Sequence, residues 1–162
     1  MSILGSRDLT WPSEADCAAC ARTLARRDAL DNAFVELRGP LGAGKTTFVR
    51  HLLRALGVTG RVKSPSYAVV EPYEVAHPTA SPQRALNVWH FDFYRFKDPR
   101  EWEDAGFRDI FAAMGLKLAE WPEKAQGVLP PADLSITIEP LDDDTRKLRF
   151  TAFTKRGLEL LP

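Results

Sequence analysis

The sequence GPLGAGKT at residues 39–46 matches the pattern G-x-x-x-x-G-K-[ST] in full. A short β-like run, AFVEL at 33–37, precedes it, and residues 45–56 follow with apolar side chains at helical spacing and Gly57 as a C-terminal cap. A strand, a glycine-rich loop and a helix in this order are typical of a phosphate-binding loop, because glycines let successive backbone N–H groups point at one centre. The pattern therefore predicts a phosphate site at the start of the helix, where the helix dipole also favours anions.

Three side chains of the motif have expected roles. Lys45 should reach the terminal phosphates, the Thr46 hydroxyl should bind Mg²⁺, and Thr47 should add a contact to the α-phosphate. Charge around the motif agrees with an anionic ligand, since residues 37–70 contain six cations and no acid.

The rest of the chain alternates helical and extended patterns. The first half predicts a helix at 13–27, a β-rich stretch at 66–70 broken by Pro72, and a loop at 76–86 that is the best candidate for disorder. The second half predicts strands at 87–94, 116–119, 134–139 and 147–153, a helix starting at 98–99, and a turn at 142–144. We predict one domain over 1–162 with an α/β, P-loop NTPase-like three-layer fold, its sheet mainly parallel with antiparallel additions near the C-terminus.

Composition excludes several other classes of protein. The 162 residues carry 22 Lys+Arg and 22 Asp+Glu, a balance that argues against a protein that grips nucleic acid over a broad basic surface. No apolar window is long enough to span a membrane, and residues 1–11 do not resemble a signal peptide, so we expect a cytoplasmic protein. Cys17 and Cys20 form a C-x-x-C without a second ligand pair, and we interpret them as reduced thiols packed as small apolar side chains.

A P-loop enzyme also needs acids to hold its metal. Asp92 and Glu120 each end a predicted strand, and the carboxyl ends of parallel strands meet at the ligand-binding edge of an open α/β sheet. The alternative for either residue is an exposed loop carboxylate. The Asn-Lys-x-Asp pattern that reads guanine in many GTPases is absent, which favours adenine.

Six motifs occur in the order seen in the TsaE (YjeE) family, the ATPase of bacterial threonylcarbamoyladenosine synthesis on tRNA. They cover about residues 9–140. The motifs are GPLGAGKTT at 39–47, KSPSY at 63–67, VEPY at 70–73, HFDFYR at 90–95, GFRD at 106–109 and EWP at 120–122.

The resemblance implies a role for particular residues. Thr46 and Glu120 match the family's metal positions, Asp92 with Lys45 the catalytic ones, and Ser66 falls in a segment resembling a nucleotide-sensing switch. The implied nucleotide-binding residues are Gly39, Pro40, Leu41, Gly42, Ala43, Gly44, Lys45, Thr46, Thr47, Ser66 and Trp121.

The implied activity is a Mg²⁺-dependent hydrolysis of ATP, and we expect its intrinsic turnover to be slow because the sequence offers no obvious arginine finger. It would support TsaD and TsaB, which carry out the transfer to the adenosine next to the anticodon, so that tRNA is engaged only indirectly and no membrane is involved. Arg95 and Arg108 are the candidates for an arginine finger that a partner would order.

Two other functions stay open at this point. A nucleotide-sensing binding module would switch a partner interface at the acidic stretch 98–109 without needing turnover. A small-molecule kinase is the weaker alternative, because such enzymes normally carry a substrate domain or lid for which this length leaves little room.

Overall fold

The computed structural model describes residues 2–62, 65, 69–98, 100–101 and 106–162. Within these residues, seven strands form one sheet: β1 Gly5–Trp11, β2 Phe34–Arg38, β3 Val70–Ala76, β4 Ala85–Asp92, β5 Leu116–Glu120, β6 Leu134–Pro140 and β7 Arg146–Ala152. The α-helices are α1 Glu14–Ala25, α2 Lys45–Leu56, α3 Phe107–Ala112 and α4 Lys155–Glu159. Short 3₁₀ helices span Asp28–Asn32 and Pro122–Ala125.

The strands lie in the order β1-β7-β6-β2-β5-β4-β3. The central pairs β6–β2, β2–β5 and β5–β4 are parallel, and the pairs toward both edges are antiparallel. This confirms the predicted α/β class with a parallel centre. The antiparallel additions lie at both edges of the sheet, since the N-terminal strand β1 joins one edge and the β3–β4 hairpin forms the other.

Both faces of the sheet are buried at its centre, since all five residues of β5 are buried and successive side chains of a strand point to opposite faces. In β2, Val35 and Leu37 pack into the larger core with α1 and α2, whereas Phe34 joins a second, aromatic core that includes Phe107 of α3. The rings of Phe91 and Phe107 are 5.3 Å apart in edge-to-face contact in this second core. Helices on both faces of one sheet give the predicted three layers.

The expectation that Pro72 ends a strand is wrong. Pro72 lies inside β3, opposite Trp89 of β4. Because β3 is the edge strand of the sheet, it can accommodate a proline that lacks an N–H. Of the stretch 66–70, residues 66–68 lie outside the described residues, and Val70 begins β3.

The segment predicted as a loop at 76–86 is shorter than expected, because Ala76, Ala85 and Leu86 belong to strands. Residues 77–84 connect β3 to β4 and carry defined contacts. Thr79 Oγ1 donates to Asp28 Oδ1 at 2.6 Å, and Arg84 forms an ion pair with Asp31 at 2.9 Å.

The predicted helix at 98–99 falls largely on Pro99 and residues 102–105, outside the described part of the chain; Arg100 and Glu101 are helical. Cys17 is buried in the larger core, as interpreted from the sequence, and burial raises the pKa of its thiol to about 12. In the described part of the chain, no helix is both long and apolar enough to cross a membrane.

Candidate nucleotide-binding site

The loop at 39–44 leaves the end of β2 and enters α2, at the edge of the sheet where the parallel strands end. Gly39, Gly42 and Gly44 all have positive φ, at 151°, 80° and 107°. A Cβ on Gly39 would also lie 2.5 Å from the carbonyl oxygen of Ile138 in the neighbouring strand β6. No acid occupies the first turn of α2, so its N–H groups and dipole are available to an anion.

Lys45, the first residue of α2, is turned back onto the loop. Its Nζ donates to the carbonyl oxygens of Gly39 and, at 3.2 Å, of Pro40, and lies 3.8 Å from the centre of the Trp121 ring. Burial lowers the pKa of Lys45, while the carboxylates of Glu120, Glu123 and Asp92 oppose this effect. The loop therefore holds a mostly buried amine beside the positions where phosphates would bind.

Thr46 and Glu120 are in direct contact. The Thr46 hydroxyl donates to Glu120 Oε1 at 2.8 Å and lies 3.0 Å from Oε2. Glu120 is the last residue of β5 and is only 2% exposed. Its Oε2 also contacts Nε2 of the fully buried His90 at 2.6 Å. The two residues expected to hold the metal thus meet across 74 residues of sequence.

Asp92 ends β4 and pairs in register with Glu120. The Tyr94 backbone N–H donates to Asp92 Oδ1 at 3.0 Å. Burial raises the pKa of Asp92 and the negative charge of Glu120 adds to the rise, whereas the Tyr94 hydrogen bond, His90 and Lys45 oppose it. A carboxylate whose pKa is raised is a better proton acceptor than an ordinary aspartate.

Trp121 follows Glu120 in the left-handed region, at φ 56°, and its ring lies 5.0 Å from that of Tyr94. This backbone turn brings the indole back over Lys45. A cavity of about 330 Å³ opens between these groups. It is lined by Leu41, Gly42, Ala43, Gly44, Lys45, Thr46, Thr47, Asp92, Tyr94, Glu120 and Trp121.

A second cavity of about 270 Å³ adjoins the first and shares Ala43, Gly44 and Thr47 with it. Its other lining residues come from the end of β1, the start of α1, and the β6–β7 turn with the first residue of β7. They are Trp11, Pro12, Ser13, Glu14, Cys17, Asp144 and Arg146. The Arg146 guanidinium also donates to the carbonyl oxygen of Ala43 at 2.9 Å, which ties this turn to the phosphate-binding loop.

The family model described as "Threonylcarbamoyl adenosine biosynthesis protein TsaE" matches residues 11–148. The chain belongs to the TsaE family. A Haemophilus influenzae protein named tRNA threonylcarbamoyladenosine biosynthesis protein TsaE is 42% identical over 78% of this chain and 75% of its own length. A Bacillus subtilis protein of the same name is 37% identical over 74% and 70%. The crystal structure of Bacillus subtilis YdiB superposes with a TM-score of 0.76 and 27% identity, covering 99% of this chain and 94% of that chain.

The structure brings most of the residues expected from the TsaE family resemblance to one place. Leu41, the residues from Gly42 to Thr47, Asp92, Glu120 and Trp121 all line the first cavity. Gly39 and Pro40 instead direct their carbonyl oxygens at Lys45. Ser66 lies outside the described residues.

Sequence reasoning missed three residues at this site. His90 and Tyr94 stand inside the motif HFDFYR, which carried the TsaE family resemblance, but neither was assigned to the nucleotide site. Arg146 had no such signal, because its contact with Ala43 spans 103 residues and belongs to no motif.

The oxygen donors at the site suit Mg²⁺. Thr46 offers a hydroxyl and Glu120 a carboxylate, and Mg²⁺ prefers oxygen ligands. Within the described residues, no group of three or more His, Cys, Asp or Glu side chains could hold a metal ion without help. Such a partial set of donors fits an ion that is bound together with phosphates rather than one held in a cage of protein ligands.

Proposed function

We propose that this chain is a Mg²⁺-dependent ATPase that supports threonylcarbamoyladenosine synthesis on tRNA in the cytoplasm. The observation that carries the proposal is the hydrogen bond between Thr46 and Glu120, which joins the phosphate-binding loop to the end of β5 in a TsaE-family chain. Lys45 and Asp92 line the same cavity. A single sheet that includes strands from both ends of the chain supports one domain over 1–162.

The phosphates of ATP would bind at the loop, where the N-terminal N–H groups of α2 and the Lys45 amine provide positive charge. The amine would exchange its carbonyl partners on Gly39 and Pro40 for phosphate oxygens. The adenosine would extend into the second cavity, because Ala43, Gly44 and Thr47 border both cavities. The base would then lie between the start of α1 and the β6–β7 turn.

Thr46 and Glu120 are the residues that would hold Mg²⁺, which supplies charge neutralisation on the phosphates when it is bound. The Thr46 hydroxyl can direct its proton to Glu120 and keep a lone pair for the metal. Asp92 would orient the attacking water, since it lines the cavity beside Glu120 and its raised pKa makes it a better acceptor for the water's proton.

Turnover by the isolated protein should be low. In the described part of the chain no arginine lines the phosphate cavity, and such an arginine typically contributes 10³–10⁵-fold to phosphoryl transfer. Arg95 and Arg108 stay the candidates for one that a partner positions.

The expected partners are TsaB and TsaD, with tRNA engaged through them. The mouth of the cavity supports a protein partner, since Leu41 is 75% exposed and Tyr94 47% exposed there. Exposed large apolar side chains beside a binding site are typical of protein contact surfaces.

The proposal is tested by measuring ATP binding and hydrolysis with and without TsaB and TsaD. Lys45→Ala should lose most of the turnover, because it removes the buried amine from the phosphate site. Lys155→Ala, which removes an exposed lysine from α4, is the matched control and should hydrolyse ATP at the wild-type rate. Equal rates for wild type and Lys45→Ala would refute the proposal.

Asp92→Asn separates an ATPase from a binding module that needs no turnover. The amide keeps the size of the side chain but accepts protons poorly, so ATP affinity should persist while hydrolysis falls. A cycling ATPase with this substitution should fail to support repeated tRNA modification in a reconstituted reaction. Full modification by Asp92→Asn would favour the binding module instead.

A further inference from the structure

His90 is a fully buried imidazole to which the proposed reaction assigns no role. It lies on β4 and its Nε2 is 2.6 Å from Glu120 Oε2. Its other nitrogen, Nδ1, is buried without a hydrogen-bond partner among the described residues. Among the described residues, the contact with Glu120 is therefore the one hydrogen bond that this buried imidazole makes.

The sheet places His90 for this contact. β4 and β5 are parallel neighbours, with His90 opposite Leu118 and Asp92 opposite Glu120. His90, Val88 and Leu118 occupy the face of the sheet that packs toward α2, since Val88 and Leu118 belong to the core shared with that helix. From this face the imidazole reaches diagonally across to the carboxylate at the end of β5.

Glu120 needs such a partner because it is a carboxylate with only 2% exposure. Burying a charge is unfavourable unless hydrogen bonds compensate it. The Thr46 hydroxyl has a single proton, which points to Oε1 at the shorter distance of 2.8 Å. His90 is therefore the donor that holds Oε2, and it contacts Glu120 from the sheet while Thr46 contacts it from α2.

We propose that His90 is a positioning residue that fixes one oxygen of Glu120, so that the other oxygen and Thr46 present a preformed half-site for the nucleotide-bound divalent cation. This inference rests on the proposed function, because Glu120 must serve the metal. Hydrogen bonds from outside the ligand shell typically change metal affinity or activity by 10–100-fold.

Three substitutions of His90 differ in whether a hydrogen-bond donor reaches Glu120. His90→Gln places an amide N–H near the position of Nε2, whereas the shorter His90→Asn places its amide near Nδ1 and leaves Glu120 without a donor. His90→Leu removes both nitrogens. Val88→Ala, two residues earlier on the same strand and equally buried, is the control for a loss of packing alone.

The experiment measures Mn²⁺ affinity by electron paramagnetic resonance in the presence of ADP, and ADP affinity in the presence of EDTA. His90→Asn and His90→Leu should weaken Mn²⁺ binding by about 10–100-fold, with unchanged metal-free ADP binding. His90→Gln should recover most of the Mn²⁺ affinity. Thermal melts of all variants show whether each is folded. If His90→Leu does not fold, the Mn²⁺ affinity of His90→Asn alone tests the proposal.

A split in steady-state constants provides the second readout. In the two variants without a donor, the Mg²⁺ concentration for half-maximal hydrolysis should rise by the same factor, and the KM for ATP at saturating Mg²⁺ should not change.

The possible failures are distinguishable. Wild-type Mn²⁺ affinity in His90→Asn, or an equal loss in Val88→Ala, would overturn the positioning role and leave the proposed ATPase standing. Failure of the wild type to bind Mn²⁺ with ADP would overturn both.

Discussion

At Gly39 two independent constraints exclude a side chain. The backbone has φ 151°, and a Cβ would lie 2.5 Å from the carbonyl oxygen of Ile138, which belongs to the backbone of β6 and cannot rotate away. Gly42 also has a positive φ of 80°, but a Cβ there would meet no atom within 4 Å. An alanine at Gly39 should therefore destabilise the protein more than an alanine at Gly42, although both positions lie in the same loop.

We predict that Gly39→Ala destabilises the protein by more than the roughly 1–2 kcal/mol expected for a left-handed alanine, and that it also loses ATP affinity. Gly42→Ala should lower the free energy of unfolding only by the roughly 1–2 kcal/mol of the left-handed backbone conformation. Urea unfolding and nucleotide titration of both variants make the comparison. Equal stabilities would show that the contact with Ile138 is not limiting.

The buried thiol of Cys17 gives a stability difference that depends on pH. Burial raises its pKa from 9.0 to about 12, so between these values the unfolded chain loses the proton that the folded protein keeps. The unfolded state then binds fewer protons, and stability falls as pH rises through this window. Below pH 9 both states keep the proton and the protonated thiol contributes its packing fully.

We predict that Cys17→Ala is less stable than wild type at pH 8, by about 1 kcal/mol for the lost packing, and that this difference shrinks by pH 10.5. Chemical denaturation of both proteins at the two pH values tests it. Parallel loss of stability in the two proteins would mean that Cys17 does not ionise on unfolding.

The local sequence predicted those residues of the candidate site that belong to a recognisable motif or end a predicted strand. Lys45 and Thr46 follow from the glycine pattern, and Asp92 and Glu120 from the expectation that parallel strands end at one edge. The contact of Glu120 with His90 could not be predicted in this way, because it depends on the register between β4 and β5, which local patterns do not specify.

At the scale of elements, Asp133 connects α4 to the sheet. Asp133 accepts from the Phe34 N–H at 2.8 Å and from the Thr154 hydroxyl at 2.7 Å, and Thr154 in turn caps the helix by accepting from the Gly157 N–H. Gly157 packs so closely that a Cβ would lie 1.9 Å from the carbonyl oxygen of Asp133. The helix therefore depends on a glycine for docking.

We predict that Gly157→Ala is destabilising, by roughly 1–3 kcal/mol, because overpacking outweighs the better helix propensity of alanine. Glu159→Ala on the same helix is exposed and should change stability little. Thermal or urea unfolding of the two variants measures this. Stabilisation by Gly157→Ala would mean that propensity, rather than the contact with Asp133, governs α4.

Two elements that the sequence did not predict, β1 and α4, lack a strong local signal. The strand β1 has mostly exposed residues and is defined by pairing with β7 at the other end of the chain. α4 is five residues long and contains a glycine, so it lacks a periodic apolar signal. By contrast α2, with an apolar stripe and a cap at Gly57, begins and ends where the sequence predicted.

Across the whole molecule, cavity-lining residues and structural contacts lie at opposite ends of the parallel strands. At the carboxyl ends of β2, β4 and β5, residues 41–44 of the phosphate-binding loop, Asp92 and Glu120 line the first cavity, and Ala43 and Gly44 also border the second. The opposite ends carry structural contacts. There Lys117 of β5 donates to the carbonyl oxygen of Ala113, and the loop at 77–84 pairs with the 3₁₀ helix Asp28–Asn32. The proposed nucleotide site and these structural contacts are thus separated by the length of the strands.

Because of this separation, we predict that the β3–β4 loop can be shortened without changing ATP affinity or turnover. The His77 N–H donates to the carbonyl oxygen of Arg84 at 2.7 Å, so replacing residues 78–83 by Asn-Gly would leave a two-residue hairpin turn between paired positions. The replacement removes the contact of Thr79 with Asp28 and that of Gln83 with the carbonyl oxygen of His77, and it keeps the ion pair of Arg84 with Asp31, so stability should change by only about 1–2 kcal/mol. ATP affinity and turnover should equal those of wild type, because no residue of the loop lines either cavity. Loss of ATP affinity in a folded variant would show instead that the two ends of the sheet are coupled through β4, whose last residue is Asp92.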